Sequence, residues 1–427
     1  MEALANKKEV SMIPKLRFKE FEGKSQSYKK HSFVDVFTFS TGKNIKQNEA
    51  SPLFETPCVR YGELYHMYNE VIYEVINRTD LDKADLRLSN GDEILLPSAG
   101  EDPLDIGSAS ALPFKNVAIG RTINILRPLS KDKYFQNYAA YYINFRLRKK
   151  ISTLAKGSSI SNVYNSDLKK LEIVLPTLPE QQKIASFLTS VDGKIQQLTR
   201  KKTLLEQYKK GVMQKLFAQE IRFKPARPSG GDDEGKDYPD WEGKKLGEVA
   251  IFSKGKGISK GEISEDGNLE CIRYGELYTK YRETIDVVSS RTSLLSKGLT
   301  LSEKDDVIIP TSGETQLDIA TASCVLREGI ALGGDLNVIR SDNDGVFLAY
   351  YMNSHLKYDI ARLSQGISVV HLYSSQLKTL KMEIPSLPEQ QKIAAYLNSL
   401  DQKIETVNHQ ITQTQAFKKG LLQGMFV

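Results

Sequence analysis

Cysteine is scarce in this chain. Its three cysteines (Cys58, Cys271 and Cys324) are too few and too scattered for a disulfide framework or a zinc site. No run of eighteen apolar residues occurs, so no membrane span is expected. The opening MEALANKKEV lacks an apolar core and a cleavage site. No secretory signal is expected there, and the cytoplasm is the expected compartment. Catalytic signatures are missing as well. Gly255–Gly261 falls short of the phosphate-binding P-loop pattern, with Glu262 following. No dinucleotide fingerprint follows a strand, and no Asn-Pro-Pro-aromatic segment of the amino-methyltransferase kind occurs. The five histidines (His31, His66, His355, His371 and His409) show no HxxxH spacing. Asp232-Asp233 and Asp305-Asp306 read as linker and strand-edge charge. A stand-alone catalyst is therefore disfavoured.

Neither sign of charge dominates. The formal net charge is +6 over 427 residues, with a pI near 8.8. That permits nucleic-acid binding without requiring it. Hydrophobic residues at 40% and charged residues at 26% suit a soluble globular protein with room for two or three domains.

What the chain does have is a repeat. Leu178–Ala185 reads LPEQQKIA, and so does Leu387–Ala394, 209 positions on. Asp192/Asp401, Lys194/Lys403 and the pairs Lys209-Lys210-Gly211/Lys418-Lys419-Gly420 continue the match. Upstream, Cys58–Tyr65 (CVRYGELY) matches Cys271–Tyr278 (CIRYGELY) at an offset of 213. The change of offset places a four-residue insertion or deletion between Arg127 and Tyr141, which marks a surface connection. The order is domain, helix, domain, helix. A tail (1–15) precedes a first domain (16–175) and a helical region (176–221). A Pro/Gly-rich linker (222–240) leads to a second domain (241–384) and a C-terminal helical region (385–427). The lead-in Leu16–Gly23 (LRFKEFEG) is matched here with Tyr238–Gly243 (YPDWEG).

Each long helix opens on a proline, Pro179 or Pro388, where a missing N–H is harmless. Glu180 or Glu389 follows at the positive end of the helix dipole. Apolar residues then recur every three and four: Ile184, Leu188, Val191, Ile195, Leu198 in the first, and Ile393, Leu397, Leu400, Ile404, Val407 in the second. That is the coiled-coil period. Lys202, Lys209, Thr414 and Lys418 interrupt it, as register-fixing polar seam residues do. From Pro179 to Phe217 is 39 residues, about 58 Å of helix. A head-to-tail duplication with a short linker favours an antiparallel pair related by a pseudo-twofold axis. The alternative is that each helix packs on its own domain.

In the globular parts, Val34–Phe39, Glu93–Leu96, Asn116–Ile119 and Thr122–Leu126 read as strands and Tyr134–Arg148 as a helix. Several segments suit nucleic acid. Ser40–Lys46 and Ser253–Lys260 are glycine loops carrying Lys43, Lys46, Lys254, Lys256 and Lys260. Their backbone N–H groups and lysines can hold phosphates, or they are ordinary solvated turns. Arg60-Tyr61-Gly62-Glu63 and Arg273-Tyr274-Gly275-Glu276 offer a guanidinium for guanine and a carboxylate for cytosine. Alternatively the Arg–Glu pairs are structural and the tyrosines are core. Ser98, Gly100 and Glu101, with Ser312 and Glu314, read as exposed loops with polar tips. Arg121 and His371 complete the candidate DNA-binding residues. Gly157–Ser159 and Gly366–Ser368 suggest a close backbone approach to a ligand.

This order, with LPEQQKIA opening each helix, closely resembles the specificity subunit of Type I restriction–modification enzymes over essentially the whole chain. The resemblance implies an α+β fold: two pseudo-twofold-related mixed α/β target recognition domains joined by two long helices that form an antiparallel coiled coil. Each domain would read half of a bipartite site in double-stranded DNA, and the helices would set the spacer. Recognition domains one helical turn apart, roughly 34–36 Å, would sit on one face of the duplex. The conserved helical openings, here Glu180, Gln181, Gln182, Glu389, Gln390 and Gln391, would bind two modification (methyltransferase) subunits. Restriction (translocase–nuclease) subunits would join them. The chain itself would be no enzyme, within a complex that is a DNA adenine methyltransferase and ATP-dependent endonuclease. S-adenosylmethionine, ATP and Mg2+ would belong to those partners. Recognition domains of this family often differ within a chain. Here they are close relatives, so two similar, inverted half-sites are expected. A related two-subunit restriction system and a non-DNA coiled-coil adaptor are the competing readings.

Overall fold

The computed structural model describes residues 13–23, 28–130, 132–157, 159–225, 237–366 and 369–427. Most of the expected tail and residues 226–236 of the expected linker lie outside them. The chain divides into two units. One takes the residues up to Leu198 together with Gln410–Val427, and the other takes Thr199–His409.

In the first unit an antiparallel sheet runs Phe37–Thr41, Ile123–Pro128, Glu93–Pro97, Ser110–Leu112. A second sheet runs Arg78–Thr79, Thr56–Val59, Lys115–Ile119, Leu88–Asn90, with its two middle strands parallel. The second unit repeats both. Ala250–Lys254, Leu336–Ser341, Asp306–Pro310, Ser323–Val325 and Thr284–Ile285 form one sheet. Ser290–Thr292, Leu269–Ile272, Ala331–Leu332 and Thr300–Leu301 form the other. The expected insertion is where the offsets put it. Residues 129–135 join strand to helix in the first unit, and only 342–344 do so in the second.

The strand expected at Val34–Phe39 is instead a helical turn, Phe33–Val36, followed by the strand Phe37–Thr41. Phe33 and Val36 are both fully buried. Three residues apart, they share a face on a helix and would fall on opposite faces of a strand.

The two helices span Leu178–Phe217 and Leu387–Met425. In the second unit Lys202 donates to Asn408 and Lys209 pairs with Asp401. Seven residues forward on one helix is seven back on the other, so the pair is antiparallel. The apolar stripe serves two surfaces. Ile184, Leu188 and Val191 join the first domain's core together with Leu421, Met425 and Phe426 of the C-terminal helix. Met213, Leu216 and Phe217 join the second domain's core together with Ile393, Leu397 and Leu400. Both alternatives for the helices are therefore realised at once, with each helix packing on its partner helix and on a domain.

The lead-in match changes. Leu16–Lys19 (LRFK) aligns with Ile221–Lys224 (IRFK), because Arg17 and Arg222 do the same work. Arg17 forks onto buried Glu180 at 2.7 and 2.8 Å, and Arg222 onto buried Glu389 at 3.1 and 2.7 Å. Phe18 sits edge-on to Phe187, and Phe223 edge-on to Tyr396. The expected linker thus begins after Arg222 and Phe223, which belong to the second unit's fold.

Two of the seam lysines, Lys209 and Lys418, are ion-paired, one in each unit and in the same way. Lys209 meets Asp401 at 2.8 Å and Glu283 at 3.4 Å, and lies 4.9 Å from the Tyr350 ring centroid. Lys418 meets Asp192 at 2.8 Å and Glu70 at 3.0 Å, and lies 5.3 Å from the Tyr141 ring centroid. Tyr350 donates to Asp401 and Tyr141 to Asp192. Burial alone would pull the Lys418 ammonium down, but Glu70 and Asp192 more than offset it and raise it above the usual lysine range. Its contribution is therefore complete at neutral pH and is lost only as pH rises through that raised value. Removing Lys209 would leave Asp401 and Glu283 largely buried without their cation. Lys209→Met should cost about 3–5 kcal/mol, read by denaturant unfolding. An unchanged midpoint would show the cluster to be ornamental.

Candidate nucleic-acid interface

The glycine loops are built on a contact that tolerates no side chain. A Cβ on Gly42 would lie 1.9 Å from the Gly120 carbonyl oxygen, and one on Gly255 1.9 Å from that of Gly333. The N–H of Lys43 donates to Ile119 and that of Lys256 to Leu332. These two amides are therefore occupied by the protein's own backbone, which leaves the Lys43 and Lys256 side chains as the groups they can offer phosphate. Lys43, Lys46, Lys254, Lys256 and Lys260 are all exposed. Lys43 lies 3.8 Å from Asp85, with both side chains more than half exposed, a contact worth little. Among the described residues the other four have no ion-pair partner. In the first domain a cleft of about 450 Å³ collects Lys46, Arg60, Tyr61 and Arg121 from three separate segments.

The two RYGELY motifs are alike in sequence but not in bonding. Glu63 is buried, and its carboxylate accepts from Arg60 Nε at 2.8 Å, Asn77 Nδ2 at 2.9 Å and the Arg60 N–H. Glu276 is equally buried and accepts the Arg273 N–H at 2.9 Å. Its other contacts are Lys280 Nζ at 2.9 Å and the Ser290 hydroxyl. Burial alone would raise the Glu276 carboxyl, but Lys280, Ser290 and the Arg273 amide hold it below the usual carboxylate range. Both glutamates are thus internal helix-capping groups and not base readers, which corrects the expectation for Glu63 and Glu276. Arg273 Nε is left buried without a hydrogen-bond partner among the described residues. Tyr61 is exposed, whereas Tyr274 is half-buried against the second domain's core, and each lies beside the next tyrosine of its motif, Tyr65 or Tyr278.

The expected polar tips are only partly tips. Gly100 is buried in the strand Ala99–Gly100, paired with Ser161–Asn162. Ser312 is half-buried in Ser312–Gly313, paired with Val370–His371, and stands opposite His371. Half-buried Ser98 donates its N–H to Thr122 and accepts from Val163. Glu101, Glu314 and His371 are exposed, and the His371 ring stacks on Tyr373. Buried Asn124 and Asn337, which the sequence showed only as matched positions, donate to the Val163 and Leu372 carbonyls and so hold these segments in place. Gly157 and Gly366 take φ of +125° and +128°, and a Cβ there would meet the carbonyl of Ile160 or Val369. The close approach is to the protein itself. Residues 158, 367 and 368 lie outside the described ones.

The helix openings need a larger correction. Glu180, Gln181, Glu389 and Gln390 are buried. Gln181 accepts the Phe135 N–H and donates to the Lys133 and Pro176 carbonyls. Gln390 accepts the Asp344 N–H and donates to Asn343 Oδ1 and the Pro385 carbonyl. These four clamp helix to domain and have nothing left for another subunit. Of the six expected contacts only Gln182 and Gln391 face solvent.

No helix among the described residues is long and apolar enough to cross a membrane, and no cluster among them could hold a metal ion. Residues 26–207 and 238–415 each match the type I restriction modification DNA specificity domain, and the chain belongs to that family. It is 26% identical over 299 residues to the type I restriction enzyme MjaVIII specificity subunit of Methanocaldococcus jannaschii, covering 66% of this chain and 68% of that one. It is 25% identical over 300 residues to the MjaIX specificity subunit of the same organism, covering 69% of each. The fold matches the crystal structure of a type I restriction–modification S subunit from M. genitalium with a TM-score of 0.64 at 19% identity. That match covers 97% of this chain and 99% of the other.

Glu276→Gln weakens three acceptor contacts inside the fold. It should lower stability by about 1–3 kcal/mol in thermal melts. Base preference of the assembled complex should persist wherever the variant remains folded, and a relaxed preference at full stability would return Glu276 to the reading surface.

Proposed function

We propose that the chain is the sequence-specific DNA-recognition subunit of a type I restriction–modification complex, with each domain reading one half of a bipartite target. The carrying observation is the duplicated cluster of exposed lysines on glycine loops beside an arginine, in a chain of the specificity family. Cations of this kind position a protein on the phosphate backbone, while groove-facing side chains read bases. The paired helices hold the two domains at a set spacing and, through faces that include Gln182 and Gln391, receive two methyltransferase subunits; restriction subunits complete the assembly. S-adenosylmethionine, ATP and Mg2+ act on those subunits. This chain contributes recognition and no chemistry of its own, in the cytoplasm.

The test is duplex binding by the chain with its methyltransferase partner across a salt series. Affinity should fall steeply with salt. Lys43→Ala and Lys256→Ala should each weaken binding to target and unrelated duplexes alike, and lower the salt slope by about one. An absence of DNA binding would favour a coiled-coil adaptor between proteins.

A further inference from the structure

We infer that the two domains read their half-sites with arginines from different backbone positions: Arg121 in the first, and Arg273, released by Lys280, in the second. The inference rests on the recognition reading and adds which guanidinium does the reading.

The starting observation is the unequal bonding of two identical motifs. Arg60 and Arg273 occupy the same place in RYGELY. In the first domain the buried Glu63 carboxylate takes Arg60 Nε at 2.8 Å, with Asn77 as its second donor. At the positions of Met67 and Asn77 the second domain has Lys280 and Ser290. These two now satisfy Glu276, Lys280 at 2.9 Å. A carboxylate already paired with an ammonium has less to offer a guanidinium. Arg273 Nε accordingly stands without a partner, and its guanidinium makes no ion pair among the described residues.

The neighbouring loop has changed in the opposite sense. Arg121 follows Gly120, and the matching position after Gly333 is Gly334. Arg121 is exposed and unpaired among the described residues, at the cleft that also holds Lys46. Gly333 lies against Arg273, since a Cβ there would come 3.6 Å from Arg273 Cγ. That same glycine carbonyl supports the loop carrying Lys256. Each domain thus has an unpaired guanidinium at the glycine contact beneath its lysine loop, Arg121 in the first and Arg273 in the second, supplied from different positions. Arginine recognises guanine through O6 and N7 in the major groove. Lys280 is a positioning residue here, because it acts through Glu276.

The experiment is selection from a randomised duplex library by the full chain assembled with its methyltransferase partner. Arg121→Ala should abolish the preference at one base pair of one half-site, and Arg273→Ala at one base pair of the other, each by about 5- to 150-fold. Arg273→Lys keeps the charge without the planar fork, so it should weaken that preference while holding overall affinity. Lys280→Met with Ser290→Asn copies the first domain's arrangement and should reproduce the Arg273→Ala pool, as Glu276 recaptures the guanidinium. A wild-type pool from the Arg273 variants or from the double variant, at full or weakened binding, would overturn the inference. A wild-type complex that enriches no sequence would overturn the recognition reading beneath it, which is a distinguishable failure.

Discussion

A carboxylate taken out of water at the start of a helix must meet a cation held as firmly as itself, or the helix will not stay docked. Glu180 and Glu389 are fully buried, and each is gripped by a forked arginine from the segment ahead of its domain. One residue on, Gln181 and Gln390 use both ends of their amides on the connection into the same domain. Further along, Lys418 and Lys209 tie the opposing helix to an aspartate and to a glutamate of the domain. Together these contacts turn a helix and a mixed α/β domain into one unit, twice. Without them each junction would rest on its apolar stripe alone, and polar seam contacts are what fix register along such a stripe.

The architecture was largely legible in the sequence because it is periodic. LPEQQKIA repeated at 209 residues and RYGELY repeated at 213 fixed the order of parts, and the shift between offsets located a connection that the structure shows to be four residues shorter in the second unit. The heptad stripe showed that the helices needed partners, though not that the domains would share them with the opposing helix. The polar side chains were less legible. Glu180 and Gln181 looked like an exposed docking motif because glutamate and glutamine are usually on surfaces. Nothing local reveals that Arg17, 163 positions earlier, will cover the carboxylate. Glu63 failed for a related reason, since an Arg–Glu pair three residues apart suits both a base reader and a helix cap. What sequence comparison within the chain could have found is the exchange of Met67 and Asn77 for Lys280 and Ser290.

The recognition surface that remains after these corrections is smaller and chemically simpler. On the proposed reading, exposed lysines on glycine-pinned loops would supply a field for phosphate, and unpaired arginines beside them would supply directed donors. Glu276 holds the motif that carries Arg273, while Arg121 projects from the loop after Gly120. Because the loops rest on backbone contacts that exclude any side chain at Gly42 and Gly255, their lysines are presented from the same scaffold in both domains. Divergence is confined to which side chains project from it.

The central claim is that one recognition scaffold occurs twice, and methylome sequencing of cells carrying this chain with its methyltransferase subunit tests it most directly. The account predicts a bipartite modified motif whose two halves are similar and inverted, with a fixed spacer between them. Two halves with unrelated sequences would contradict it.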